Sequence, residues 1–75
     1  MKSSDEIRLK KIGEKLQKLR VEKKLTQKEL AFMLDVEISQ ITRIERGIIN
    51  TSILNIMRIA DALEISVSDF LKDIE

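Results

Sequence analysis

Histidine and cysteine are both missing from this 75-residue sequence. Without them most zinc sites and most nucleophile–base constellations are unavailable. No disulfide framework supports the fold either, and thiol chemistry is excluded. Proline is also absent, and glycine occurs only twice, at Gly13 and Gly47. No apolar run is long enough to span a membrane. The start, MKSSDEIRLKKI, lacks the apolar centre of a signal peptide, so a cytoplasmic protein is expected. What remains is 43% hydrophobic and 36% charged, a globular rather than a disordered balance. Leu, Ile, Lys, Glu and Arg dominate, and these helix formers point to an all-α chain. At this length residues 1–75 are expected to form one small domain with a modest core.

A net charge of +1 hides an uneven distribution. Residues 1–24 hold nine basic and four acidic side chains, whereas residues 25–75 hold five and nine. A basic first helix can attract phosphates. A solvated helix face with mixed charges explains the same feature more simply.

Apolar spacing and capping signals place five helices. Leu9, Ile12, Leu16 and Leu19 make one stripe at spacings of three and four, so a first helix is expected over about 5–23, capped by Ser4 or Asp5. Gly13 interrupts it and leaves room for another helix to approach. In LTQKELA, Thr26 and Glu29 form a capping box that opens a second helix over about 27–34, with Leu30, Ala31 and Leu34 inward. A third helix follows over about 37–46, its Ile41 and Ile44 facing the core with Val36. Ser39, Gln40, Thr42, Arg43 and Arg46 then point outward, and Gly47 suits a left-handed C-terminal cap. The fourth helix starts at Asn50, Thr51 or Ser52 and runs to about Leu63, with Ile53, Ile56, Ile59, Ala60 and Leu63 on one side. A second box, Ser66 with Asp69, opens a fifth helix that buries Val67, Phe70 and Leu71. No strand alternation, linker or internal repeat is present.

The second and third helices are short and separated by about three residues, which is a helix-turn-helix pattern. Three segments carry a closer likeness: IGEKLQKLRVEKKLTQKELA, LDVEISQITRIERG and NTSILNIMRIADALEISVSDFL. In these, about residues 12–71, the chain resembles the Cro/repressor-type helix-turn-helix domain of the XRE family. The resemblance implies a compact five-helix bundle of the lambda-repressor-like type that binds double-stranded DNA. The third helix would lie in the major groove, and the second would cross the phosphate backbone.

Thr26, Gln27 and Lys28 open the second helix, where free amides and polar side chains suit a phosphate. An ordinary capped helix start accounts for the same residues. On the third helix Arg43 suits guanine and Gln40 suits adenine, while Thr42 and Ser39 can touch a base or the backbone. A solvated face is the plain alternative. Arg46 and Asn50 flank the loop where the family usually meets phosphate. By the same resemblance Arg20 would pair with Glu45 and brace the third helix. As an exposed pair they would add little stability.

Four departures from the family pattern stand out. Asp35 occupies a turn position that is usually glycine, although aspartate tolerates a left-handed backbone. Glu37 replaces a Ser or Thr cap; it suits the helix dipole but would repel a phosphate, or it could accept from cytosine. Ile38 stands where a polar base reader is common, either to pack on a thymine methyl or to be buried. Ile48 and Ile49 fill loop positions that are often basic in relatives. With Leu54 and Met57 they either form a dimer interface or fold back onto the core.

A homodimer would place two reading helices about one DNA turn apart on a palindromic operator. With no second domain, such a chain would act by occupying an operator or touching polymerase. The size, the layout and the Asn-x-Ser start of the fourth helix resemble the controller proteins of restriction–modification systems. An antitoxin or adaptor that uses the same fold to bind a protein partner is the main alternative, favoured by Glu37, Ile38, Ile48 and Ile49. An enzyme is poorly supported: there is no glycine-rich phosphate loop, no cofactor is called for, and Asp61 with Glu64 or Asp69 with Asp73 read as solvated charges.

Overall fold

A serine that the helical stripe does not reach starts the structure. In the computed structural model, which describes residues 3–74, Ser3 caps the first helix, not Ser4 or Asp5. Its hydroxyl accepts from the Glu6 amide at 3.2 Å, and the Glu6 carboxylate accepts from the Ser3 amide at 3.4 Å. The five helices are α1 (Ser4–Glu22), α2 (Gln27–Leu34), α3 (Ile38–Glu45), α4 (Ile53–Ala62) and α5 (Val67–Leu71). There is no strand among the described residues, and none of their helices is long and apolar enough to cross a membrane.

Each later start has its own chemistry. Thr26 and Glu29 close the expected box on α2, with bonds of 3.0 and 2.8 Å. Donation to the exposed Glu29 carboxyl from Thr26, by its backbone amide first and its hydroxyl second, holds that carboxyl below its ordinary value. Ser52 caps α4 by accepting from the Asn55 amide at 3.1 Å. At α5 only half of the expected box forms: Ser66 accepts from the Asp69 amide at 3.0 Å. Glu37, at the cap of α3, makes no side-chain capping bond.

The core is filled by Leu16 of α1, Leu30 of α2, Ile41 of α3, Ile59 of α4 with Leu63 at its C-terminal cap, and Phe70 of α5, all fully buried. Each such side chain contributes about 2 kcal/mol on burial. Ile12, Leu19, Val36 and Val67 pack around them. Two expected core residues lie elsewhere. Ile53 is 80% exposed, because it is the first residue of α4 and projects past the core; Leu71, in the last turn of α5, is also exposed.

α1 packs chiefly on α3, and α2 packs on both α3 and α4. Gly13 sets the closeness of the first contact. A Cβ there would drive into the carbonyl oxygens of Ile44 and Glu45, so the last turn of α3 lies directly on the backbone of α1. Gly47 ends α3 in the left-handed region at φ 73°, and an added Cβ would come within 2.7 Å of the Lys10 Cα. Both glycines therefore clamp the C-terminal end of α3 to α1.

Candidate nucleic-acid interface

The turn between α2 and α3 is three residues, Asp35, Val36 and Glu37. Asp35 takes the left-handed conformation at φ 56° and ψ 47°, so the turn forms without glycine. Val36 packs against the core and holds the corner in place. A second tie comes from α4, where the Arg58 guanidinium donates to the Leu34 carbonyl at the end of α2. One of the carbonyls left free at that helix end is thereby satisfied.

Behind α3 lies a buried polar network. Glu45 is only 7% exposed, the one charged side chain in the core among the described residues. Arg20 donates to it twice, from Nε to Oε2 at 2.6 Å and from Nη2 to Oε1 at 3.2 Å. The third guanidinium nitrogen, Nη1, donates to the Leu25 carbonyl at 2.7 Å. Gln27 Nε2 donates to Glu45 Oε1 at 3.0 Å, and Thr42 Oγ1 donates to Gln27 Oε1 at the same distance. Arg20 and Glu45, far apart in sequence, thus form a buried two-pronged pair rather than two surface charges. A buried carboxylate needs this saturation, because leaving it unpaired would cost several kcal/mol. The network joins α1, α2 and α3 through one carboxylate.

The outward side of α3 is different. Ser39, Thr42, Arg43 and Arg46 fall at i, i+3, i+4 and i+7, which is one stripe of a helix. Ser39, Arg43 and Arg46 are exposed, while Gln40 and Thr42 are partly exposed. Neither Arg43 nor Arg46 forms an ion pair among the described residues. Lys28 at the start of α2 and Asn50 after the loop are also exposed. Thr26 is spent as a cap, and Gln27 has one amide hydrogen committed inward. Glu37 and Ile38 stand exposed at the N-terminal end of α3.

Two helices of eight residues each, joined by a left-handed turn, make a helix-turn-helix, a fold shared with known proteins. The helix-turn-helix family HTH_3 matches residues 16–70. The chain belongs to this family. As a helix-turn-helix protein it is 39% identical over 64 residues to the control protein C.MunI of Mycoplasma sp, covering 84% of this chain and 86% of that one. The crystal structure of the restriction–modification controller protein C.AhdI from Aeromonas hydrophila is also 39% identical, with a TM-score of 0.80 over 83% of this chain and 94% of the other. The clp gene regulator ClgR of Corynebacterium glutamicum is 30% identical, with a TM-score of 0.83 over 85% of this chain and 68% of its own.

Two apolar surfaces complete the helix-turn-helix unit. The paired isoleucines after Gly47 part company: Ile49 packs against the core, whereas Ile48 is 59% exposed. Ile49 therefore leaves the expected dimer patch. Leu54 and Met57 remain exposed on α4, and the misplaced Ile53 joins them within one helical turn. The second surface was hidden in the sequence. Phe32 on α2 is 86% exposed, and with Leu25 and Met33 it borders a shallow hollow of about 380 Å³ edged by Lys28 and Glu29. The only early signal was a phenylalanine beside the buried stripe of α2. Arg58 was also missed, since nothing in its neighbours announces a carbonyl partner in another helix.

Proposed function

We propose that this chain is a sequence-specific DNA-binding transcriptional regulator that binds a palindromic operator as a homodimer, with α3 in the major groove. One observation carries the docking geometry: a saturated carboxylate fixes α3 from behind, while Arg43 and Arg46 on its outer stripe are exposed and unpaired. Arg43 reads a base edge, with Gln40 beside it. Ser39 and Asn50 meet base edge or backbone, and Arg46 and Lys28 meet phosphate. Gln27 keeps one amide hydrogen for a phosphate at the start of α2. Ile38 offers an apolar contact to a thymine methyl. Ile48, Leu54 and Met57, with Ile53, form the surface that a second copy covers. The names of the control-protein relatives support a role in the transcription of a restriction–modification system.

Selection of random duplex DNA on the purified protein, followed by a salt series on the winner, tests this reading. A palindromic winner with half-sites one turn apart is expected. Lys28→Ala should weaken all sequences alike and lower the salt slope by about one. Leu54→Lys should yield a folded monomer by sedimentation and weaken operator binding. Absence of any enriched sequence would sink the proposal.

The hollow beside Phe32 favours one second reading, a protein partner that binds through the outer face of α2. A stable complex with a co-encoded protein, in a chain that selects no DNA, would decide for it.

A further inference from the structure

We propose that Thr42 meets DNA as a hydrogen-bond acceptor only, and selects at its position a base with an exocyclic amino group in the major groove, adenine or cytosine. The proposal rests on the docking of α3 described above. The polarity is set from inside the protein. A carboxylate only accepts, so the amide of Gln27 must turn its nitrogen toward Glu45, where Nε2 lies 3.0 Å from Oε1. The amide oxygen is then forced to the other side, 3.0 Å from Thr42 Oγ1. The other protein neighbour of that hydroxyl is the Ile38 carbonyl, at 3.2 Å. Both neighbours accept and neither donates. The single hydroxyl proton of Thr42 goes to one or the other, and in both cases it points inward.

Only lone pairs are left for the outer side, where Thr42 is partly exposed beside Arg43. In the major groove adenine N6 and cytosine N4 donate, whereas guanine O6 and N7 and thymine O4 accept. An acceptor that faces an acceptor gains nothing and excludes water from both. A threonine free to rotate its proton would accept either kind of base. This one is denied that choice by Gln27, which is itself oriented by Glu45 and Arg20.

The test is a cycle between the hydroxyl and the base. Thr42→Val keeps the shape and removes the oxygen, and the base position at which selection relaxes identifies the contact. Wild type should prefer adenine or cytosine there by about fivefold, the worth of one net hydrogen bond. Replacing that adenine by purine, or that cytosine by 2-pyrimidinone, removes the amino group. Wild type should then lose about fivefold in affinity and Thr42→Val nothing. Thr42→Ser, which keeps the hydroxyl, should keep the preference. If Thr42→Val does not fold, as judged by its thermal melt, Thr42→Ala takes its place. A wild-type preference for guanine or thymine at that position overturns the proposal. So does an unchanged selection by the Thr42 variants while Arg43→Ala relaxes one position, and that result leaves the docking of α3 intact. Unchanged selection by both Thr42 and Arg43 variants overturns the docking as well.

Discussion

The two ends of α3 are held in opposite ways. At the C-terminal end, Gly13 admits the last turn onto the backbone of α1, Arg20 and Gln27 saturate the buried Glu45, and Thr42 donates to Gln27 behind them. At the N-terminal end, Glu37 makes no capping bond and Ile38 is left half-exposed. A helix that must meet a ligand at one end needs its orientation fixed from the other. Polar saturation supplies that fixity here, because an 8-residue helix is too short to be stable by itself. The comparison predicts that changes at the locked end destabilise the fold, whereas changes on the open side alter binding and leave the fold in place.

The largest effect should come from Gly13→Ala. The new methyl would meet the carbonyl oxygens of Ile44 and Glu45, which belong to backbone and cannot swing away. A loss of more than about 3 kcal/mol in denaturant unfolding is expected, beyond an ordinary case of overpacking. Retention of wild-type stability would mean that α3 does not lie on α1 as described.

Next in size is Glu45→Ala. It strands the Arg20 guanidinium in a mostly buried site and removes the acceptor that orients Gln27. Breaking a buried pair from one side destabilises by about 3–5 kcal/mol. Exchanging both partners for apolar residues of similar volume should be far milder, because no lone charge remains. Thermal melts of the single and double variants separate the two outcomes. A single variant as mild as the double would show that the pair is solvated.

These locked contacts were only partly legible in the sequence. The helices could be placed because boxes such as Thr26 with Glu29 and stripes such as Leu9 to Leu19 act within one or two turns, where spacing alone decides. Asp35 could be assigned its left-handed turn for the same local reason. The burial of Glu45 is different, since it depends on how α1, α2 and α3 come together. The resemblance suggested its partner Arg20, but the parts played by Gln27 and Thr42 follow from three-dimensional packing alone. Spacing also failed at Ile53: a stripe tells which side of α4 faces inward, but not how far the neighbouring helices extend to cover it. The same limit left Ile48 and Ile49 undivided and Phe32 unnoticed.

On the open side, Arg43→Ala should leave stability within about 0.5 kcal/mol, as befits an exposed residue without partners. Its effect belongs to binding: about 1–3 kcal/mol lost on the selected operator, with selectivity relaxed at one base position. Competition titrations against the four variants of that position read both quantities. Equal weakening on all four would make Arg43 a phosphate contact instead.

The smallest effect should come from Glu37→Ser, and it is the one expected gain. Glu37 already has the extended backbone of a cap, φ −72° and ψ 147°, without a side-chain bond. A serine there would accept from an amide of the first turn and favour the helix by about 1 kcal/mol. Losing the favourable charge at the helix start offsets part of that, so a net gain of about 0.5 kcal/mol is expected. The substitution also removes a negative charge from the end of α3 that we propose enters the groove, so affinity for DNA in general should rise. A rise in the melting temperature together with tighter, equally selective binding would show that Glu37 leaves the reading end of α3 loose. A rise in stability with lost preference for cytosine would instead show the carboxylate at work as a base reader, in which case the missing cap is the consequence of a side chain used elsewhere.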